Sequence, residues 1–227
     1  MVNFSYVIMN LAVAITYGVI FVLIQLKHGK NGPRHLNIIK IGYLCGCILF
    51  VLNFLDPFVA SPTVPGVGST IAFISLLLQL PAFISIILAM DELAGGKIGK
   101  LPIIIILLII PVNFVILFLS PVIAIMNYWI WLGIILGFSI KGLLALLKAA
   151  PDELKQDVKI LLLATIVFFS SVIFWNMIPN FVDMSATKYV NPIINNGAQI
   201  VFWGILFGLR VYQKPELGDV LVREKTE

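Results

Sequence analysis

LPIIIILLIIPVNFVILFLSPVIAIMNYWIWLGIILGFSI occupies residues 101–140 and contains no charged side chain. Continued to Leu147 as one helix of about 45 residues, it would be about 68 Å long, more than twice the hydrocarbon thickness of a bilayer. Pro121 argues against that single helix, because proline lacks an amide donor and its ring clashes with a helix passing through it. Leu119-Ser120-Pro121 therefore reads as a tight turn between two membrane spans, Leu101–Ser120 and Ile123–Leu147.

Working outward, apolar runs bounded by charges, glycine and proline give five further spans. They are Ser5–Leu26, Ile38–Phe58, Ser69–Met90, Val158–Val182 and Tyr189–Tyr212. Of the 227 residues, 60% are hydrophobic and 11% charged, where a soluble domain carries about 25% charged residues. The mean hydropathy is +1.07. Such a chain cannot cover itself with polar groups, so its natural surroundings are lipid. The expected fold class is all-α, a polytopic bundle of about seven transmembrane helices over residues 1–212, with residues 213–227 as a short tail.

The cations test the count. Lys27, Lys30, Arg34 and Lys40 follow or open one pair of spans. Lys97 and Lys100 lie in the next loop on that side, then Lys141, Lys148, Lys155 and Lys159, and finally Arg210, Lys214, Arg223 and Lys225. Fourteen of the fifteen Lys and Arg thus share one side, and only Lys188 is opposite. Cytoplasmic loops are the basic ones, so the expected arrangement has the N-terminus outside and the C-terminus in the cytoplasm of a multi-pass cell-membrane protein. The first span is too long, and too poor in preceding basic residues, to read as a cleaved signal peptide. The net charge of +4 follows from the same loops and gives no reason to expect nucleic acid as a partner.

Several chemistries find no residues. The two histidines, His28 and His35, flank a loop and read as solvated, with no nearby ligand cluster for a metal. Cys45 and Cys47 are two apart on a helix and point in different directions. No carboxylate lies deep in a span, as ion-coupled carriers usually require. The last span has no buried lysine for a retinal Schiff base. No nucleophile, zinc or phosphate-loop motif occurs, and Gly95–Lys100 reads as a flexible loop. No cofactor and no catalytic activity are expected.

Polar residues gather instead toward the outer ends of the spans. Asn176 and Asn180 are four apart and share a face of the sixth span. Asn191, Asn195 and Gln199 continue at steps of four down the seventh, followed by Trp203, while Asn196 starts a neighbouring face. Asn10, Asn53, Asp56, Asn113 and Asn127 lie at similar depth. The amides can bond helix to helix, each stabilising by only about 0.6 kcal/mol on average. They can also line an outward-facing pocket of the usual kind, apolar with a few directed polar groups. On the second reading Asn176, Asn180, Asn195, Gln199 and Trp203 form the ligand site. Asn176 and Asn180 would orient a polar group, and Trp203 would close the floor.

The segment KAAPDELKQDVKILLLATIVFF, residues 148–169, has a proline, a charged turn with a Lys-Gln pair, and re-entry into an apolar helix. It resembles the seven-helix N-terminal sensor domain of certain prokaryotic histidine kinases. The resemblance implies a receptor whose last helix signals to a cytoplasmic effector. Only QKPELGDVLVREKTE follows the seventh span, and fifteen residues cannot fold into an output domain. The expectation is then a stand-alone sensor that binds a small ligand and acts on a partner membrane or cytoplasmic protein. The alternatives are a non-catalytic accessory subunit of a multi-subunit membrane enzyme complex and, third, a small-molecule transporter.

Overall fold

Inside hydrocarbon a backbone can satisfy its own amides only by coiling into helices or closing into a barrel, and the long apolar runs of this chain coil. The computed structural model describes residues 4–29, 31–59, 63–64, 68–96, 98–101, 103–105, 107–108, 112, 121–177, 190–218 and 220. Helix α1 is Phe4–His28 and α2 is Arg34–Leu55, extended by a 3₁₀ turn at Asp56–Phe58. A ribbon of two short strands, β1 Thr63–Val64 and β2 Gly68–Ser69, pairs antiparallel with Thr63 opposite Ser69. Helix α3 is Thr70–Leu93, with Pro81 in its interior. Helix α4 is Pro121–Ala149 and α5 is Asp152–Met177. Helix α6 is α-helical over Val190–Ala198, π-helical over Gln199–Leu209 and α-helical again over Arg210–Gln213. These six correspond to the expected first, second, third, fifth, sixth and seventh spans. Of the expected fourth, 101, 103–105, 107–108 and 112 are described and helical, and the remainder lies outside the described residues.

Among the described residues, four helical stretches are long and apolar enough to cross a membrane: Phe4–His28, Arg34–Phe58, Leu132–Ala149 and Asp152–Ile173. They mark a helical membrane protein. Proline opens α4 at its first residue, where a missing amide costs no intrahelical bond. Helix α5 starts six residues before the expected Val158. Asp152 and Glu153 occupy its first turn, where carboxylates favour the positive end of the helix dipole. The amides of Leu154 and Lys155 close onto the Pro151 carbonyl at 2.9 and 3.1 Å.

Contacts along the helices fix their directions. Helices α1 and α2 are antiparallel, with the Tyr17 ring against Gly46 and Phe50 and the Lys40 ammonium 3.0 Å from Gln25 Oε1. Helices α2 and α3 are antiparallel, with Arg34 3.1 Å from Glu92. Helix α4 sets Gly142 against Ala94 and Ile98, just past the end of α3. Helices α5 and α6 are antiparallel, with Asp157 2.6 Å from Arg210. Helix α6 runs parallel to α1, because Asn196 meets Asn10 and Tyr212 meets Lys27. The end where α1 and α6 begin is called the upper end below, and the opposite end the lower.

The core follows from helix periodicity. Helix α1 buries Val7, Asn10, Ala14, Tyr17 and Ile24, and α2 buries Leu36, Ile39, Tyr43, Gly46 and Phe50. Steps of three and four keep one seam facing the neighbours. At the lower end the loops are pinned rather than loose. Lys40 donates to Gln25, to the Gly29 carbonyl and to Asn37 Oδ1 at 2.9–3.0 Å, capping α1. The expected flexible glycine loop is a tight turn, since Asp91 Oδ1 accepts the amides of Ile98 and Gly99 at 3.0 and 2.9 Å. Gly95, Gly96 and Gly99 take positive φ there, which glycine does without strain. The expected tail is also partly folded: Pro215–Gly218 forms a 3₁₀ turn with Leu217 fully buried and Gly218 against the His35 ring. His35 is accordingly buried, not solvated, and His28 lies edge-on to Tyr212 at 5.9 Å.

Candidate functional site

A column of polar groups runs down the seam between α1, α2 and α6. At the top, Asn196 Nδ2 donates to Asn10 Oδ1 at 3.3 Å. Two turns lower on α1, Tyr17 donates its hydroxyl to Gln199 Oε1 at 3.1 Å. Lower again, the Tyr43 hydroxyl donates to the Trp203 carbonyl at 2.7 Å. The two tyrosine rings meet edge to face, their centroids 5.3 Å apart.

Small residues make room for these rings. A Cβ on Gly46 would lie 2.6 Å from the Tyr17 ring, and one on Gly208 would collide with the Tyr43 hydroxyl. One on Gly204 would lie 2.7 Å from Thr16. Glycines four apart let helices approach closely in a membrane, and Gly204 and Gly208 do so on α6. Beside the column, Trp203 stacks on Phe207 at 4.3 Å and on Phe168 at 5.1 Å, with Phe169 edge-on at 6.2 Å. Such ring pairs stabilise by about 0.5–1.5 kcal/mol each beyond their buried area.

Of the five expected ligand residues, the side chains of Asn195, Gln199 and Trp203 are described. Asn176 falls within α5, its side chain outside the described set, and Asn180 lies outside the described residues. Asn195 is half-buried, and its Oδ1 has no hydrogen-bond partner among the described residues. Gln199 is held by Tyr17. Trp203 is buried in the aromatic stack. Asn196, assigned to a neighbouring face, is the amide that turns into the seam, 4% exposed. Its partner Asn10 is 1% exposed. Among the described residues, Asn195 Oδ1 is thus a sheltered acceptor left unused near the upper end.

Tyr17 and Tyr43 were not singled out in the sequence, and Asn10 and Asn196 were placed among the outer polar residues without being paired. The signal available was the seven-residue spacing of Asn10 and Tyr17, two turns on one face of α1. Asn, Gln and Tyr exchange no proton near neutral pH. The column is thus made of neutral polar groups and holds no acid–base pair among its members. Two grooves lie elsewhere: an apolar one of about 440 Å³ between α1 and α2, and one of about 590 Å³ along α4. Neither includes Asn195, Gln199 or Trp203.

Comparison with protein-family models, with curated proteins and with solved structures finds no match to this chain. The resemblance to kinase sensor domains accordingly rests on residues 148–169 and the span pattern.

Proposed function

We propose that this chain is a seven-helix, multi-pass sensor of the cell membrane that binds a small neutral ligand near its upper, extracellular end and acts on a partner protein. The observation that carries the reading is the polar column of Asn10, Asn196, Tyr17, Gln199 and Tyr43, with Asn195 Oδ1, one residue from Asn196, lacking a hydrogen-bond partner among the described residues. An unmet buried polar group costs about 1–3 kcal/mol, and a ligand offering a donor to Asn195 removes that cost.

Seven crossings are supported by direction and charge. Helices α3 and α4 point the same way, which fits one further pass between Leu93 and Pro121. About 22 residues separate Ile98 from Pro121, and a helix of that length spans about 33 Å, enough for one crossing. The ten described Lys and Arg all belong to the lower half, the cytoplasmic half under the basic-loop rule. Cysteines placed at Lys188 and at Lys97, each in an intact-cell preparation with a membrane-impermeant maleimide, test this. Labelling at 188 and protection at 97 are expected; the reverse pattern sinks the orientation.

The ligand reading is tested by stability. Asn195→Leu removes an unsatisfied acceptor and is expected to raise the melting temperature of the ligand-free protein. A panel of small neutral amides, alcohols and lactones is then screened by thermal shift. At least one should stabilise the wild type and leave Asn195→Leu unmoved. If Asn195→Leu is destabilising and no compound discriminates, the amides are packing groups. Gentle solubilisation and sizing separates the sensor from a subunit of a larger complex, since co-purification with fixed partners in constant ratio overturns a stand-alone role.

A further inference from the structure

Six of the ten described cations are held by a partner; Lys141 and Lys148, like Lys100 and Lys159, have no ion pair among the described residues. Arg34, Lys155, Arg210 and Lys214 each face a carboxylate, and Lys27 and Lys40 are held by Tyr212 and by three oxygen acceptors. Lys141 and Lys148 are exposed and face no carboxylate among the described residues. Both line the groove of about 590 Å³ along α4, with Gly137, Ile140, Leu144 and Ala145. Seven residues separate the two lysines, so both lie on one face, about 10 Å apart along the axis. Gly137 has open space where a side chain would stand. From Gly137 to Lys148 the groove runs about 16 Å, the depth of one leaflet of a hydrocarbon core of about 30 Å.

We propose that this face of α4 binds one anionic phospholipid, with Lys141 and Lys148 taking the phosphate headgroup and Gly137, Ile140 and Leu144 taking an acyl chain. The proposal rests on α4 lying in a membrane and is independent of the sensor reading. Charge selects the occupant. Gly133 and Gly137 are four apart, a spacing that also suits helix dimers. A two-fold contact between copies brings each lysine against its own counterpart, which repels, whereas an anionic lipid neutralises both. A long lysine stem lying on apolar surface while its ammonium reaches the interface is the usual geometry for such side chains. The apolar floor distinguishes a lipid from free phosphate, which has no use for Gly137 or Leu144.

Native mass spectrometry of the full chain in detergent tests this, with phosphatidylglycerol and phosphatidylethanolamine of identical acyl chains added in equal amounts. The wild type is expected to retain phosphatidylglycerol over phosphatidylethanolamine by about tenfold or more, because each lysine near a headgroup contributes appreciably to anionic-lipid binding. Lys141→Gln with Lys148→Gln should bring the two lipids to near parity. Gly137→Leu fills the floor, keeps both lysines and should also lose phosphatidylglycerol. Millimolar inorganic phosphate should leave the lipid bound. Equal retention by the wild type, a preference that survives loss of both lysines, or displacement by phosphate overturns the proposal. So does efficient disulfide cross-linking of Gly137→Cys between copies, which would put a second chain in the groove.

Discussion

Tyr43 places a hydroxyl proton on a main-chain oxygen of another helix, 160 residues away in sequence. That bond is buried, whereas the Tyr17–Gln199 bond is only partly so. Hydrogen bonds between membrane helices average about 0.6 kcal/mol and reach about 1.7. Tyr43→Phe is therefore expected to cost close to the upper figure, and Tyr17→Phe close to the average, in reversible unfolding of the detergent-solubilised protein. Equal costs would show that burial does not grade these bonds. Gly208→Ala should cost about 1–3 kcal/mol, since its methyl meets the Tyr43 hydroxyl and the core must shift. None of these three roles was legible in the sequence. Tyrosine in an apolar run reads as an interfacial residue, and glycine as a spacer, until the facing helix is known.

At the scale of the element, length and apolarity were enough to locate the helices. Expected and observed bounds of the fifth span, Ile123–Leu147 against Pro121–Ala149, differ by two residues at each end. The polar stripe on the last span was less legible. Steps of four describe one face of an α-helix, but Gln199–Leu209 is a π-helix, whose wider turn changes which residues share a face. Nothing in QIVFWGILFGL distinguishes the two forms by composition. Helices α5 and α6 are joined near their lower ends by Asp157 and Arg210, with 9% and 31% of their side chains exposed. Asp157→Leu leaves a guanidinium facing apolar surface. Its expected cost is about 2–3 kcal/mol, below the figure for a fully buried pair because Arg210 keeps some water. Asp157→Leu with Arg210→Met should recover most of that loss. A double variant as unstable as the single would mean the pair itself, rather than the orphaned charge, sets the stability.

For the whole molecule, the sequence supplied the membrane class and the sidedness of charge, and left the neighbours unknown. Residue spacing along one helix says which face is buried, not which helix covers it, and the Asn10–Asn196 contact joins residues 186 positions apart. The tail illustrates the same limit. QKPELGD reads as solvent-facing, yet Leu217 is buried among α2, α3 and α6 residues. Leu217→Gln should release the turn, and brief treatment of the detergent-solubilised protein with a glutamate-specific endoproteinase should then cut after Glu216 much faster than in the wild type. An unchanged cleavage rate would mean that other contacts hold the turn.

The parallel course of α1 and α6 also limits how this architecture can be rearranged. The first and last helices begin at the same end, so the start of one and the finish of the other are separated by the full height of the bundle, about 36 Å for a 24-residue helix. No short peptide can join them. A circular permutant would need an added helix to carry the linker across, and two copies fused head to tail through a short loop would leave the second inverted. Any tandem descendant with both halves in one orientation must therefore have gained a crossing between them.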